Sequence, residues 1–365
     1  MNKRAVSLAL STVLAASLAV PAVAQDAIDL DAPTVGPNGE SSTAVTDLPV
    51  LSDEEIAQIQ EAGYKAALMW AGAGTWYNAL SKGASERFEE LGIEIVAEAE
   101  ADFDPARQQT DIETSMALQP DIILSLPVDP VAGTQAFRPA ADAGTVIVFV
   151  DNGVDNFVPG EDYASIVTGD HFEMGKKAAE LMSDAIGGAG KIGFIFHDAV
   201  YYVTNNRDDY ARAAFEQLYP DIEIVAEQGF TDEGSTYEIA QAMLVQNPDL
   251  DGIYVAWSAA AQGVISALRE AGKGDVKVVA YDLDAANDLD MAMCGNYYGA
   301  SLDWPYAEGI AMADLAAASL LGKDVPPFVT VDAQAMTREN LAETWSGNVG
   351  VDPSDEILAA LAEDC

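Results

Sequence analysis

Residues Tyr64–Gly83 read YKAALMWAGAGTWYNALSKG: an apolar run, a glycine-rich turn and the start of a helix. Lys65–Trp70 has the short, continuously apolar character of a buried strand. Gly72-Ala73-Gly74 lets the backbone turn, and helical spacing begins at about residue 75. The turn matches the start of the dinucleotide fingerprint G-x-G-x-x-G. However, Tyr77 occupies the position of the third glycine, where that fold needs close helix–strand packing. The phosphate-loop pattern GxxxxGK[ST] is absent. The stretch is therefore a strand-to-helix junction that presents two aromatic rings, Trp76 and Tyr77, and is not a phosphate cradle.

From Tyr64 onward the same alternation repeats. Strands are expected at 65–70, 93–97, 121–126, 145–151, 164–168, 191–197, 222–226, 252–257, 276–282, 298–302 and 328–331, with amphipathic helices between them. Strands that are apolar on both faces and separated by helices imply parallel sheets covered on both sides. Their number exceeds one ordinary sheet, so the economical fold is α/β with two doubly wound parallel-sheet lobes. Before them, Ser52 followed by Asp53-Glu54-Glu55 reads as a capped helix start, and the helix is expected to run to Ala62.

The N-terminus carries a basic start, Lys3-Arg4, an uncharged apolar stretch from Ala5 to Val20, and Ala22-Val23-Ala24, a small-x-small cleavage pattern. Residues 1–24 are read as a signal peptide for export. Residues 25–63 are read as a polar leader, expected to be mobile up to Pro49, followed by the short helix. The 365-residue chain has 60 acidic against 17 basic residues and a formal net charge of −43. Nucleic acid is an unsuitable partner for so acidic a surface, which favours a soluble monomer. Cys294 and Cys365 are the only cysteines, and either one disulfide or two free thiols fits the sequence.

In open α/β sheets, ligands bind beyond the carboxyl ends of the strands. Those ends carry Trp70 to Tyr77, Asp151-Asn152, His197 to Arg207, Trp257-Ser258, Asp282 and Asp303-Trp304. Flat aromatics with carboxylates, an amide and one arginine suit a polyhydroxylated ligand, whose C–H faces stack on rings while its hydroxyls give and accept hydrogen bonds. His171 is expected on the surface at a helix start. His197 is expected to be a hydrogen-bonded strand-end residue, and one of Tyr201 and Tyr202 to line the cleft.

Over about residues 64–345 the sequence resembles the periplasmic solute-binding proteins of ATP-driven sugar importers, in the ribose-binding branch. The likeness rests on the ordered segments GTWYNALSKG, PDIILSLPVDPVAG, VIVFVDNG, NNRDDYARAAFEQLYPDIEIV, NPDLDGIYVAWSAAAQGVISALREAGKGDVKVVAYD and GASLDWPYAEGIAMADLAAASLLG. The resemblance implies two lobes joined by three crossings that close on one sugar and present it to a membrane permease. It places the first lobe at 64–151 plus 282–302, the second at 155–280 plus 304–345, and a tail at 346–365. It also implies a ligand set of Trp76, Tyr77, Asp151, Asn152, Arg207, Trp257, Asp282, Asp303 and Trp304. Asn152 departs from the arginine common in that branch, which argues against ribose itself; Trp257 stands where the ribose binder has an asparagine, trading a polar contact for a ring, and Asp303 where a glutamine is common. A sugar or sugar alcohol is expected, with a small amine-bearing solute as the alternative.

No Cys/His cluster has metal-ligand spacing, no G-x-S-x-G elbow occurs, and no cofactor is expected. A binding protein is therefore expected rather than an enzyme, although a pair of cleft carboxylates is also what a glycosidase needs. A sugar-responsive repressor would need a basic DNA-binding segment ahead of the first lobe. That place holds an acidic leader.

Overall fold

The computed structural model describes residues 27–365; the proposed signal peptide, 1–24, lies outside the described residues. Two sheets form. The first contains β1 (Thr43–Ala44), β2 (Lys65–Trp70), β3 (Glu94–Glu100), β4 (Ile122–Ser125), β5 (Val146–Val150), β6 (Ser165–Gly169) and β12 (Phe328–Val331), in the parallel order β1-β12-β6-β5-β4-β2-β3. The second contains β7 (Gly190–His197), β8 (Ile222–Phe230), β9 (Gly252–Val255), β10 (Lys277–Tyr281), β11 (Tyr297–Leu302) and β13 (Gln334–Thr337), in the order β13-β11-β10-β9-β7-β8. Among the described strands of the two sheets, β13 alone runs antiparallel.

Each sheet has a core on both faces, as strands such as Ile122–Ser125 and Gly252–Val255, buried at every position, require. In the first lobe α1 (Asp53–Ala62), α2 (Thr75–Leu91) and α10 (Pro305–Leu320) cover one face, and α3 (Pro105–Met116) and α4 (Pro130–Asp142) the other. In the second lobe α5 (His171–Ile186) and α6 (Tyr202–Leu218) cover one face. The opposite face takes α7 (Thr236–Gln246), α8 (Ser258–Glu270), α9 (Ala285–Ala292), α11 (Leu341–Val349) and α12 (Asp355–Leu361). The short elements β1, β13, α9, α11 and α12 have no counterpart in the expected pattern.

The expected lobe boundaries are corrected by strand pairing. Because β6 hydrogen-bonds between β5 and β12, the first lobe continues past Asp151 to Gly169. Because β11 pairs with β10, the chain does not leave the second lobe at Asp282. The crossings fall instead at Asp170, at Asp303-Trp304 and at Asp332-Ala333. The first lobe is thus about 43–169 plus 304–331, and the second about 170–303 plus 332–365.

The leader is likewise packed, not mobile, over its described part. The carbonyls of Ile28, Asp29 and Leu30 accept hydrogen bonds from Gln217, Tyr210 and Lys176 of the second lobe. The Thr34 hydroxyl bonds to Asp170 at 2.5 Å. The chain then passes to the first lobe, where Glu40 meets Tyr163 and β1 extends the sheet beside β12. Residues 28–44 therefore form a fourth connection between the lobes.

His171 is also corrected: it is buried, not exposed. As the first residue of α5, directly after the first crossing, it points into the joint between the lobes, and its Nε2 lies 2.6 Å from Thr168 Oγ1. The two cysteines form the disulfide Cys294–Cys365, which fixes the C-terminus to the end of α9.

Candidate functional site

Helices α2 and α10, behind the site, pack almost backbone to backbone. A Cβ added at Gly83 would come within 2.0 Å of the Tyr306 carbonyl oxygen, and one at Gly309 within 2.2 Å of the Leu80 carbonyl oxygen. This contact brings the first turn of α2, with Trp76, to the start of α10, with Asp303 and Glu308. Trp76 Nε1 donates to both Asp303 oxygens, at 3.0 and 3.2 Å.

Between the lobes lies a cavity of about 170 Å³. It opens at the carboxyl ends of β2, β4 and β5 on one side and of β7, β8, β9 and β10 on the other, as the doubly wound order requires. One wall holds Trp76, Tyr77 and Phe103; the Trp76 and Tyr77 rings meet edge to face with centroids 5.0 Å apart. The other holds His197, Tyr201 and Trp257, where Trp257 stands edge-on to His197 at 4.8 Å. The lobes touch through Tyr201 Oη, which donates to the Pro127 carbonyl at 3.4 Å, and through Val203 N–H, which donates to Asn152 Oδ1 at 3.4 Å.

Two acids at the carboxyl ends of second-lobe strands converge on one guanidinium. Arg207, 3 % exposed, reaches Asp282 through Nη1 at 3.2 Å and Asp303 through Nη2 at 3.2 Å, with its guanidinium 5.2 Å from the Tyr281 ring centroid. Asp151 and Asp282 each end a strand in the left-handed region, at φ 62° and 64°. Asp adopts this conformation more readily than most residues, and there it turns its carboxylate across the cleft. Burial raises the Asp151 carboxyl to about 6 against the opposing pull of Arg207 and the Thr168 hydroxyl. Burial also raises Asp282, and it raises Asp303 further, with the Asp282 charge adding to it.

Behind them Glu308 is fully buried, and neither carboxylate oxygen has a partner. Burial first, and then the charge of Asp303, push its carboxyl well above the usual carboxylate range. The Thr168 hydroxyl donates to Asp151 at 2.7 Å, so its oxygen must accept from His171 Nε2. This fixes the His171 tautomer and leaves Nδ1 bare, consistent with an imidazole held neutral chiefly by burial.

Of the expected site residues, Trp76, Tyr77, Asp151, Asn152, Arg207, Trp257 and Asp282 line the cavity. Asp303 lies behind the cavity, where it anchors Trp76 and Arg207. Trp304 is a correction: as the cap residue of α10 it packs its ring on Gly347 of α11, away from the cleft. Tyr201 lines the cavity, whereas Tyr202 packs between His171 and Phe328. His197 is a wall residue that also hydrogen-bonds Thr204 at 3.0 Å. The sequence reading missed Phe103, Glu233 and Asp284. Glu233 follows β8, which runs to Phe230 and not to Ala226, so its strand-end position was hidden.

A family model for the periplasmic binding protein domain matches residues 66–324. The chain belongs to this family. A putative rhizopine-binding protein of Rhizobium meliloti is 27 % identical over 70 % of the chain and 84 % of its own length. Among solved structures, a solute-binding protein of an ABC transporter from Mycobacterium smegmatis, with bound glycerol, is 28 % identical, has a TM-score of 0.69, and is matched over 80 % of this chain and 98 % of its own. Another, from Agrobacterium vitis with bound α-D-tagatopyranose, is 25 % identical with a TM-score of 0.70, over 77 % and 96 %. The two-lobed α/β architecture is the family fold. Among the described residues of this periplasmic binding protein, no helix is long and apolar enough to cross a membrane.

Proposed function

We propose that this protein is the periplasmic solute-binding component of an ABC importer, and that it encloses one monosaccharide or sugar alcohol between its lobes. The observation that carries this reading is the pair of aromatic walls facing each other across a floor of Asp151, Asn152, Arg207 and Asp282, with contributions from both lobes. Rings receive the C–H faces of a polyol, and the floor supplies paired acceptors and donors for its hydroxyls. Relatives whose structures hold tagatose or glycerol support the same ligand class. The closed protein acts as a monomer and hands its solute to a membrane permease, after export directed by residues 1–24.

A thermal-shift screen of pentoses, hexoses and polyols tests the proposal. A ligand at a hundred times its dissociation constant stabilises by about 2.7 kcal/mol. The best ligand should be recovered chemically unchanged. Conversion of that ligand to a product, or no shift with any member of the panel, would overturn the reading.

A further inference from the structure

The charge balance of the cavity is uneven. Four carboxylates line it, Asp151, Glu233, Asp282 and Asp284, against one permanent cation, Arg207. The other basic side chain there, His197, stays uncharged because burial lowers it to about 4. Arg207 has no charge to spare, since its two terminal nitrogens are engaged by Asp282 and Asp303.

Asp284 is accounted for structurally. Its Oδ1 caps α9 through the Ala286 and Asn287 N–H groups, and its Oδ2 accepts from Gln262. Two carboxylates are left over. Asp151 accepts from Thr168 on Oδ1, and Glu233 accepts from the Trp257 indole N–H on Oε1. The second oxygen of each has no partner among the described residues.

Glu233 sits against the Trp257 indole, and the Asp151 charge acts on Tyr77 across the cavity. A ring face next to a carboxylate in a partly desolvated cavity attracts a cation more strongly than either group does in water. The lining also holds two buried donors without partners, Asn152 Nδ2 and Arg207 Nε, which call for hydroxyl or ring oxygens. A neutral polyol would satisfy the donors and leave the two carboxylates without a counter-ion. A simple amine would do the reverse.

We infer that the preferred ligand is a polyol carrying one ammonium group, an aminosugar or an aminocyclitol, with Glu233 as its counter-ion and Asp151 adding to the negative field of the cavity. This rests on the reading of the cleft as a polyol site and narrows it. Calorimetry on the exported chain should compare hexosamines and aminocyclitols with their N-acetyl derivatives and with the parent sugars and cyclitols. At least one free amine should bind tenfold or more tightly than both of its neutral counterparts. The gap should narrow as sodium chloride is raised and in Glu233→Gln, which keeps an acceptor for the Trp257 indole. If the parent polyols bind as tightly as the amines, the charge assignment is overturned and the polyol site stands. A cleft that takes none of the three sets overturns both.

Discussion

Replacing Asp208 with asparagine should make the protein more stable at neutral pH and have little effect near pH 4. Asp208 is fully buried beside Arg207 and begins a row of three contacts: Oδ1 to Tyr254 Oη at 2.7 Å, Tyr254 Oη to Tyr281 Oη at 2.9 Å, and Tyr281 Oη to the Arg207 carbonyl at 3.2 Å. An ionised Asp208 leaves two hydroxyl protons for three contacts. A protonated Asp208 supplies the third, and every contact then has a donor. Burial raises this carboxyl from 3.8 to about 7 even though Tyr254 and the His197 N–H favour the charged form.

The native state therefore holds a proton that the unfolded chain has lost above about pH 4. Stability from this group is complete below the unfolded pKa and is lost as pH rises through 7. Three pH units at about 1.4 kcal/mol each give a penalty of roughly 4 kcal/mol by pH 8, an upper bound because the pocket can relax. Asparagine keeps the shape, donates to Tyr254 and accepts from His197 N–H without titrating. Urea denaturation across this pH range should show the difference between Asp208→Asn and wild type growing from about pH 4 to 7 and then levelling. A difference that does not change with pH would refute the proton count, as would a variant less stable than wild type at pH 8.

Other substitutions test the cleft and its scaffold. Asp282→Ala should weaken the ligand found in the screen by about tenfold to a hundredfold, because hydrogen bonds to a charged acceptor contribute about 1.5–3 kcal/mol each. Asp282→Asn tolerates the left-handed backbone and should recover part of a neutral ligand's loss in calorimetry; wild-type affinity in the alanine variant would remove Asp282 from the site. Gly83→Ala forces a methyl group against the Tyr306 carbonyl and should cost about 1–3 kcal/mol in chemical denaturation. It should also weaken the ligand by displacing the start of α10. An unchanged midpoint would mean that the two helices separate freely.

Much of the fold was legible because its signals are local. Alternating apolar runs located most strands to within a few residues, and Ser52 caps α1 as the acidic turn after it suggested. The crossings were not legible, because they depend on which strands pair. Nothing near Asp151 or Asp282 distinguishes a turn that faces the cleft from a passage between lobes, and only the pairing of β6 with β12 and of β11 with β10 decides it. The strand-end rule marked the segments that border the cavity, and the family resemblance singled out within them Trp76, Tyr77, Asp151, Asn152, Arg207, Trp257 and Asp282. The rule missed Glu233 because β8 is a solvent-facing edge strand whose Glu227-Gln228-Gly229 stretch lacks β character. Trp304 was misplaced because a residue beside a ligand-side acid can turn either way at a helix start, and a groove on α11, distant in sequence, took the ring.

Both ends of the described chain are fastened to the same lobe, Ile28 against α6 and Cys365 by its disulfide to Cys294. The second lobe is thus the mounting and the first lobe the jaw. An optical label, a bead or a surface attached through either end holds the mounting still and leaves the jaw free to swing. A pulling force applied between the two ends is carried by the second lobe and largely bypasses the hinge. The closure proposed for this protein would instead be taken up by the crossings and by the polar turn around Gly36 and Gly39, where the strap passes from mounting to jaw, so reporters of it belong on the first lobe.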